Sequence, residues 1–323
     1  MHNTWSIARH ELLLLWRDRL FLVLLLFLIG AALLSVVVAA AAYRGDLEAY
    51  HSYVQQLRAS GSSVVPAAPQ LFALQQLRGA VEYLEILGAL LAIVLGYGVI
   101  ASEKHRHTLP LLATRPLGQF SMPAGKLVGL AIVWLIVVGS LIATTTLVLL
   151  VVGTAPVIGA DTVRILLVGV VAWVYLMLWS SAAMAITAVA RQPSTALVVS
   201  IVIWLLFVLI IPQIGDTMDP DNQVPGGLFA TLGIPKAQEH AVMAHFSAYD
   251  TLRNGLEMTS VTKHFERLSF ALLGIKSTYT GQSLSFIWHD MHGYGLALLT
   301  ATVVMIAIAL ATTTCHTLLR RTS

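Results

Sequence analysis

Six long apolar runs, almost free of charged side chains, constrain the fold of this chain more than any other feature of its sequence. A helix rises about 1.5 Å per residue, so roughly 20 apolar residues cross the hydrocarbon core of a bilayer. Because lipid offers no hydrogen bonds to the backbone, runs of this length are expected to be helical. The predicted spans run from Phe21 to Ala42, Val81 to Ser102, Leu127 to Val152, Ile165 to Ala190, Thr195 to Gly215 and Gly295 to Leu319.

The composition argues against a soluble enzyme and a nucleic-acid-binding protein. Of the 323 residues, 57% are hydrophobic and 11% are charged, against about 25% charged residues in an ordinary soluble domain. The net charge of +3 is small, and the basic residues cluster beside the apolar runs, where anionic headgroups attract them. A single cysteine, Cys315, excludes an intrachain disulfide. We therefore predict an all-α integral membrane protein with six transmembrane helices.

Basic residues in and beside the short connections fall on one side of the predicted bundle. The positive-inside rule makes that side cytoplasmic, so both termini are expected in the cytoplasm. The basic residues that carry this prediction are Arg9, Arg17, Arg19, Lys104, Arg106, Arg115, Lys126, Arg191, Arg320 and Arg321.

Three segments outside the spans also have helical patterns. Residues 1–19 place Trp5 and Trp16 among basic residues, as in an interfacial helix with tryptophan anchors. In the two long loops, good helix formers with apolar residues three or four apart predict a helical extracytoplasmic cap from Asp46–Ala59, Lys236–Glu257 and Val261–Leu273. The predicted division is an interfacial helix at 1–19, the first span at 20–42, an outer loop at 43–80, spans two to five at 81–215 with a cytoplasmic loop at 103–126, a second outer loop at 216–292, and the sixth span with its tail at 293–323.

The loop between the second and third predicted spans carries the most informative motif. Glu103 follows the second span, Thr108 and Leu109 come next, then Pro116, and Lys126 enters the third span. This order resembles that of the type 2 ABC transporter permeases, which have a Glu, a Gly-Thr-Leu, a Pro and an (Ala or Gly)-Lys in sequence. The resemblance extends to the six-span layout and the amphipathic N-terminus. One departure is His107, which stands where the family usually has glycine.

A short helix begun at Thr108 and stopped before Pro116 would lie across the cytoplasmic face and present Leu109, Leu111 and Leu112. The resemblance implies that this is the coupling helix, which carries the movement of a partner ATPase into the membrane. The chain has no phosphate-binding loop of its own, since six residues separate Gly118 from Gly125 and Leu127 replaces the hydroxyl residue. ATP and Mg²⁺ are therefore expected in a separate ATPase subunit, with no cofactor in this chain.

The resemblance further implies a bacterial-type inner membrane. It also implies a dimer, because six spans are half the usual set of an ABC exporter. A homodimer is expected, with a second, similar permease as the alternative. Gly88, Gly96 and Gly98 in the second span would permit close helix packing. Glu82 and Glu85, in the first turns of that span, could reach the interface or face a transport pathway.

The second outer loop is rich in histidine and methionine, which are plausible copper ligands. In this respect the chain is similar to the permease that serves the maturation of the copper enzyme nitrous oxide reductase. The spacing is diagnostic of no metal, so no metal site is predicted. The candidate ligands are His240, Met243, His289, Met291 and His292.

These features leave two functions open and disfavour a third. The first is a permease subunit that couples ATP hydrolysis by a separate ATPase to export of an amphipathic, lipid-like, drug-like or metal-related cargo. The second is a mechanotransmission subunit that uses the same coupling to remodel a periplasmic partner protein without moving a substrate. A membrane-embedded enzyme is disfavoured, because the chain contains neither H-E-x-x-H nor G-x-S-x-G.

Overall fold

The structure, a computed structural model, describes residues 2–15, 18–60, 72–106, 118–152, 159–218, 231–234, 238, 241–242, 244, 247–276 and 278–314. These residues form helices and no strand, and six helices are long and apolar enough to cross a membrane. The prediction of an all-α membrane protein with six spans is confirmed. The spans, numbered 1 to 6 below, are Arg19–Ala59, Ala73–Lys104, Ser121–Val152, Gly159–Val189, Pro193–Gly215 and Leu284–Thr312.

Spans 2 and 4 form the centre of the bundle and are the most buried of the six. They cross closely at Gly96, where an added Cβ would lie only 2.1 Å from the carbonyl oxygen of Ser180. The Ser180 hydroxyl donates to the carbonyl of Ala92 at 3.2 Å and accepts from Trp134 Nε1 at 2.8 Å. Ser180 therefore joins spans 2, 3 and 4. Gly98, in contrast, borders open space. Of these two glycines, Gly96 therefore lies at the close helix contact and Gly98 does not.

The two ends of the helix bundle differ in the elements that they carry. The N-terminal helix, His2–Leu15, packs along the beginning of span 3. We call this the N-terminal face; spans 2 and 4 end there and span 5 begins there. On the opposite face, called the loop face, span 3 ends and spans 2, 4 and 6 begin.

Span 1 continues far beyond the length that a bilayer needs. It begins after Asp18, whose side chain accepts from the backbone N–H of Leu20 at 2.9 Å, and it ends at Ala59. Its 41 residues extend over about 60 Å at the α-helical rise. The helix predicted at Asp46–Ala59 exists, but it is the continuation of the span instead of a separate element.

A helical hairpin before span 6 lies partly among the spans. Its helices are Ser247–Met258 and Val261–Leu272. Phe265 in the second helix is fully buried and stacks on Tyr175, with ring centres 4.5 Å apart. Tyr175 lies about halfway along span 4, so the hairpin reaches into the bundle. The second hairpin helix therefore belongs to the bundle and not to a cap outside it, because its apolar side chains are buried against spans 2, 4 and 6.

Spans 2 and 5 each contain a short π-helical segment. These segments are Leu84–Gly88 and Leu205–Ile210. In span 5 the N–H of Ile211 donates to the carbonyl of Leu206, one residue further back than in an α-helix. Single-turn π segments occur frequently at functional sites. Both segments here receive hydrogen bonds from neighbouring elements, since Tyr175 donates to the Glu85 carbonyl at 2.9 Å and Ser260 to the Phe207 carbonyl at 2.6 Å.

Candidate functional site

A buried lysine stands at the centre of the N-terminal face. Lys126 lies in the second turn of span 3, and only 1% of its side chain is exposed. Its ammonium group lies 2.7 Å from Glu11 Oε1, 2.7 Å from Glu103 Oε1 and 2.9 Å from the carbonyl oxygen of Val99. A lysine ammonium has three N–H donors. All three therefore have an acceptor, which is the condition for keeping a lysine buried.

This junction of Glu11, Lys126 and Glu103 joins three separate segments. Glu11 comes from the N-terminal helix, Glu103 from the end of span 2 and Lys126 from the start of span 3. Removing one partner from a buried ion pair costs about 3–5 kcal/mol, because the remaining charge stays uncompensated. The three segments are consequently expected to move as one body.

Two glycines allow the N-terminal helix to approach span 3 closely. A Cβ at Gly125 would lie 2.9 Å from the carbonyl oxygen of Thr4, and one at Gly129 would lie 3.2 Å from Glu11 Cβ. Small residues four apart are a common device for close helix contact in membranes. The contact brings Glu11 within reach of Lys126, so the packing of the backbone positions the ion pair.

A second lysine ties span 2 to span 4 on the same face. Lys104 Nζ donates to the carbonyl oxygens of Thr187 at 2.7 Å, Ala188 at 3.3 Å and Ala190 at 2.7 Å. These carbonyls belong to the C-terminal end of span 4, where the last turn of a helix lacks intrahelical donors and attracts cations. Glu103 and Lys104 therefore fix the end of span 2 to span 3 and to span 4.

The predicted coupling residues divide into two groups. Glu103 and Lys126, which lie at the two ends of the predicted loop, are brought together in one ion pair. The other five candidates, Thr108, Leu109, Leu111, Leu112 and Pro116, lie outside the described residues. Glu11 was not predicted. It lies three residues after the buried Ala8, on the side of the N-terminal helix that packs against span 3. The only feature of the sequence that could have identified it is an acidic residue on an otherwise apolar helix face.

The two acids of span 2 have different environments. Glu82 is exposed at the loop face and forms an ion pair with Arg78 at 2.8 Å. Glu85 is buried within the π segment, and the backbone carbonyl of the same residue accepts the hydrogen bond from Tyr175. Their participation in a pathway stays a prediction.

The candidate metal ligands of span 6 do not converge. His289 and His292 are both exposed, and the Nδ1 atom of His292 lies 2.9 Å from the carbonyl oxygen of His289. Met291 packs against the apolar residues of the hairpin. Within the described part of the chain, no group of three His, Cys, Asp or Glu residues could hold a metal ion. His240 and Met243 lie outside the described residues.

Similarity to known proteins covers nearly the entire chain. The model of a family described as ABC-2 family transporter protein matches residues 5–321. No curated protein matches the sequence. The similarity to the permease of nitrous oxide reductase maturation has no support beyond the histidines and methionines and stays a prediction.

Proposed function

The chain belongs to the ABC-2 transporter family, and from this premise we propose that it is the permease subunit of an ABC exporter driven by a separate ATPase subunit. Members of this family form the membrane part of a transporter and are not themselves catalytic. ATP and Mg²⁺ would be bound by the ATPase subunit, which would contact the loop between Glu103 and Lys126.

The ion pair between Glu103 and Lys126 is the observation that carries this proposal. A loop transmits force only if its two ends keep a constant separation. The 2.7 Å contact holds the end of span 2 against the start of span 3, and the burial of Lys126 protects the pair from screening by salt. A push on the loop would therefore turn both spans together, as a rigid body, instead of bending the loop.

The N-terminal helix would take part in the same movement. It is attached to span 3 through Gly125 and Gly129 and to Lys126 through Glu11. Lys104 would extend the coupling to span 4 through its three carbonyl contacts. A force applied at the loop would thus reach the two central helices of the bundle directly.

We propose that the N-terminal face is cytoplasmic and that the chain lies in a bacterial-type inner membrane. Lys104, Lys126 and Arg191 all occur at the span ends of this face, which agrees with the positive-inside rule. A second copy of the permease is expected to complete the transporter. Spans 5 and 6 bury the smallest part of their apolar surface within the chain, which leaves room for lipid and for a second subunit.

The proposed cargo is an amphipathic, lipid-like, drug-like or metal-related molecule. The mechanotransmission alternative is favoured by one observation, the continuous helix of span 1. A bilayer core of roughly 30 Å uses about half of its length, so the remainder extends from the loop face as a rod. Rotation of span 1 would sweep this rod against a periplasmic partner protein.

The first experiment is purification of the tagged chain in mild detergent, followed by identification of co-purified subunits and an ATP hydrolysis assay in nanodiscs. A stoichiometric ATPase whose activity depends on this chain would support the proposal. We expect Glu103→Gln and Leu111→Pro to abolish the stimulated hydrolysis while membrane insertion remains. Glu82→Gln, which changes an exposed ion pair on the other face, is the matched control and should keep the activity.

Reproducible absence of an ATPase from the folded protein would contradict the proposal. Unchanged hydrolysis in Glu103→Gln and Leu111→Pro would contradict the coupling assignment. Transport and mechanotransmission can be separated in proteoliposomes that contain only the permease and the ATPase. ATP-dependent movement of a fluorescent phospholipid or amphipathic dye would favour export. Hydrolysis that moves a spin label at Tyr53 on the rod, without movement of any such molecule, would favour mechanotransmission.

A further inference from the structure

A cavity with an apolar lining opens in the half of the bundle next to the loop face. Its volume is about 60 Å³, and it is partly open to the surroundings. Its lining comes from spans 1 to 4 and from the second hairpin helix. About 10–15 Å³ of such volume holds one water molecule, so a cavity of this size has room for a few groups as small as a methylene. The deepest aromatic residue of its wall is Phe265, whose side chain is fully buried.

The cavity exists because several facing positions carry small residues. Ala32 from span 1, Ala80 from span 2 and both Gly169 and Ala172 from span 4 line it. Leucine or phenylalanine at these places would fill the space. Close packing to about 0.75 of the volume is the norm in protein interiors, so an unfilled space of this size requires an occupant or a loss of dispersion contacts.

The chemistry of the lining selects an apolar occupant. Among the lining residues that the structure describes, Thr145 is the only one with a polar side chain, and its hydroxyl already donates to the carbonyl of Leu141 at 2.6 Å. A water molecule needs two to four polar partners, so an apolar cavity stays dry and accepts apolar guests. Because the wall belongs to transmembrane helices, the most abundant apolar guest is a lipid acyl chain.

Two arginines lie at the rim of the cavity nearest the loop face. Arg78 follows the lining residue Leu77, and its guanidinium carbon lies 5.6 Å from the centre of the Phe270 ring. Arg164 precedes the lining residue Ile165 and donates to the carbonyls of Leu272, at 3.3 Å, and of Gln282, which leaves three of its five N–H donors for a ligand. Both arginines therefore contact the C-terminal part of the second hairpin helix, beside the apolar wall.

Arginine is well suited to a lipid phosphate, because its guanidinium group can donate two parallel hydrogen bonds. The side chain of Arg78 is 61% exposed, and its ion pair with Glu82 is also exposed. Exposed ion pairs contribute little to stability, so a phosphate oxygen can replace Glu82 at small cost. The rim thus complements an anionic headgroup, as the wall complements an acyl chain.

We propose that this cavity is a binding site for an anionic phospholipid of the leaflet next to the loop face. The end of one acyl chain enters the space between the lining helices, and the phosphate contacts Arg78 and Arg164. The site is distinct from the junction around Lys126, which lies on the other face. The proposal does not require the lipid to be the cargo, nor does it depend on an ATPase.

The test is photolabelling of the chain in nanodiscs with phosphatidylglycerol that carries a diazirine on its acyl chain. Bulk lipid can label Val170, which is 60% exposed on span 4. Only a lipid inside the cavity can label Phe265 and Ala172, which are buried. We expect labelled phosphatidylglycerol at both buried residues. Phosphatidylcholine carries the same phosphate, but Arg78 and Arg164 repel its choline cation, so we expect about tenfold less label with its analogue.

Ala80→Phe should abolish labelling at Phe265 by filling the entrance, whereas Val170→Phe, the same kind of enlargement on the exposed side of span 4, should leave it unchanged. Arg78→Gln should reduce the preference for phosphatidylglycerol without removing the label. Absence of label from Phe265 and Ala172 in the unmodified chain, with Val170 labelled, would overturn the site. Equal labelling by both lipids would overturn the anionic headgroup. Because labelling requires no ATP, these results are independent of the coupling proposal.

Discussion

The hydroxyl of Ser260 lies 2.6 Å from the carbonyl oxygen of Phe207, which has no α-helical or π-helical donor in its own helix. Its α-helical donor would be the N–H of Ile211, which donates to Leu206 instead. Its π-helical donor would belong to residue 212, which is a proline without an N–H. Ser260 is the N-cap of the second hairpin helix, so the same hydroxyl begins one helix and completes another.

We expect Ser260→Ala to lower the free energy of unfolding by about 1–3 kcal/mol, because it leaves the partly buried Phe207 carbonyl without a donor. Ser283→Ala is the matched control, since Ser283 is the exposed N-cap of span 6. Loss of that cap alone should cost about 1 kcal/mol. Unfolding in mixed micelles measures both values. Equal losses in the two variants would mean that the contact with Phe207 adds nothing to the cap.

Replacement of Lys126 should be more damaging than that of any exposed charge. Lys126→Met leaves Glu11 and Glu103 buried without their cation, and we expect a loss of about 3–5 kcal/mol. The triple variant Lys126→Met, Glu11→Gln, Glu103→Gln should recover most of this loss, because no buried charge remains. Glu82→Gln, in an exposed pair, should cost less than about 1 kcal/mol. A triple variant no more stable than Lys126→Met would contradict the charge explanation.

Gly96 and Gly98 provide a matched pair two residues apart on span 2. A Cβ at Gly96 would overlap the backbone of Ser180, whereas one at Gly98 meets nothing within 4 Å. We expect Gly96→Ala to separate spans 2 and 4 and to destabilise the fold strongly. Gly98→Ala should be neutral or stabilise by up to about 1 kcal/mol through its higher helix propensity. Thermal unfolding in nanodiscs distinguishes the two, and similar melting temperatures would show that the helices can adjust.

Tyr279, on the turn before span 6, should make stability depend on alkaline pH. Burial, together with the hydrogen bond that its hydroxyl donates to Asp290, raises the pKa of Tyr279. Tyr279 in the unfolded chain ionises above the ordinary tyrosine pKa of about 10, whereas in the folded protein it stays neutral to higher pH. The contribution of Tyr279 to stability is therefore complete below about pH 10 and is lost as the pH rises further.

The melting temperature of the unmodified chain should consequently fall more steeply above about pH 10 than that of Tyr279→Phe. The exposed Tyr249→Phe should retain the steep profile. Parallel profiles for the unmodified chain and Tyr279→Phe would exclude this contribution.

Several elements could be predicted from the sequence because the bilayer imposes a simple rule. A span needs length and apolarity, and both are local properties, so the six spans were predicted in number and approximate position. Their boundaries were predicted less accurately, since span 6 begins at Leu284 and not at the predicted Gly295. Polar residues such as His289 and Asp290 interrupt the apolar pattern in the first turns of this helix. A helix can continue past the hydrocarbon core, so hydropathy alone placed its beginning too late.

The candidate site was predictable in part. Glu103 and Lys126 stood out because they frame a loop with a recognisable order of residues, but the partnership of Lys126 with Glu11 joins residues 115 positions apart. No local pattern encodes such a contact. It depends on the approach of the N-terminal helix to Gly125 and Gly129, which is a property of helix packing.

The sequence by itself determined that this chain spans a membrane six times, with a charged loop after the second span, because lipid acts on each segment separately. The tertiary structure decided which buried charges meet, how deeply the hairpin enters and where a cavity remains. Ser260 and Phe207 are 53 residues apart, and the cavity wall draws on five helices. Such features arise only when distant side chains compete for the same space and the same hydrogen-bond partners.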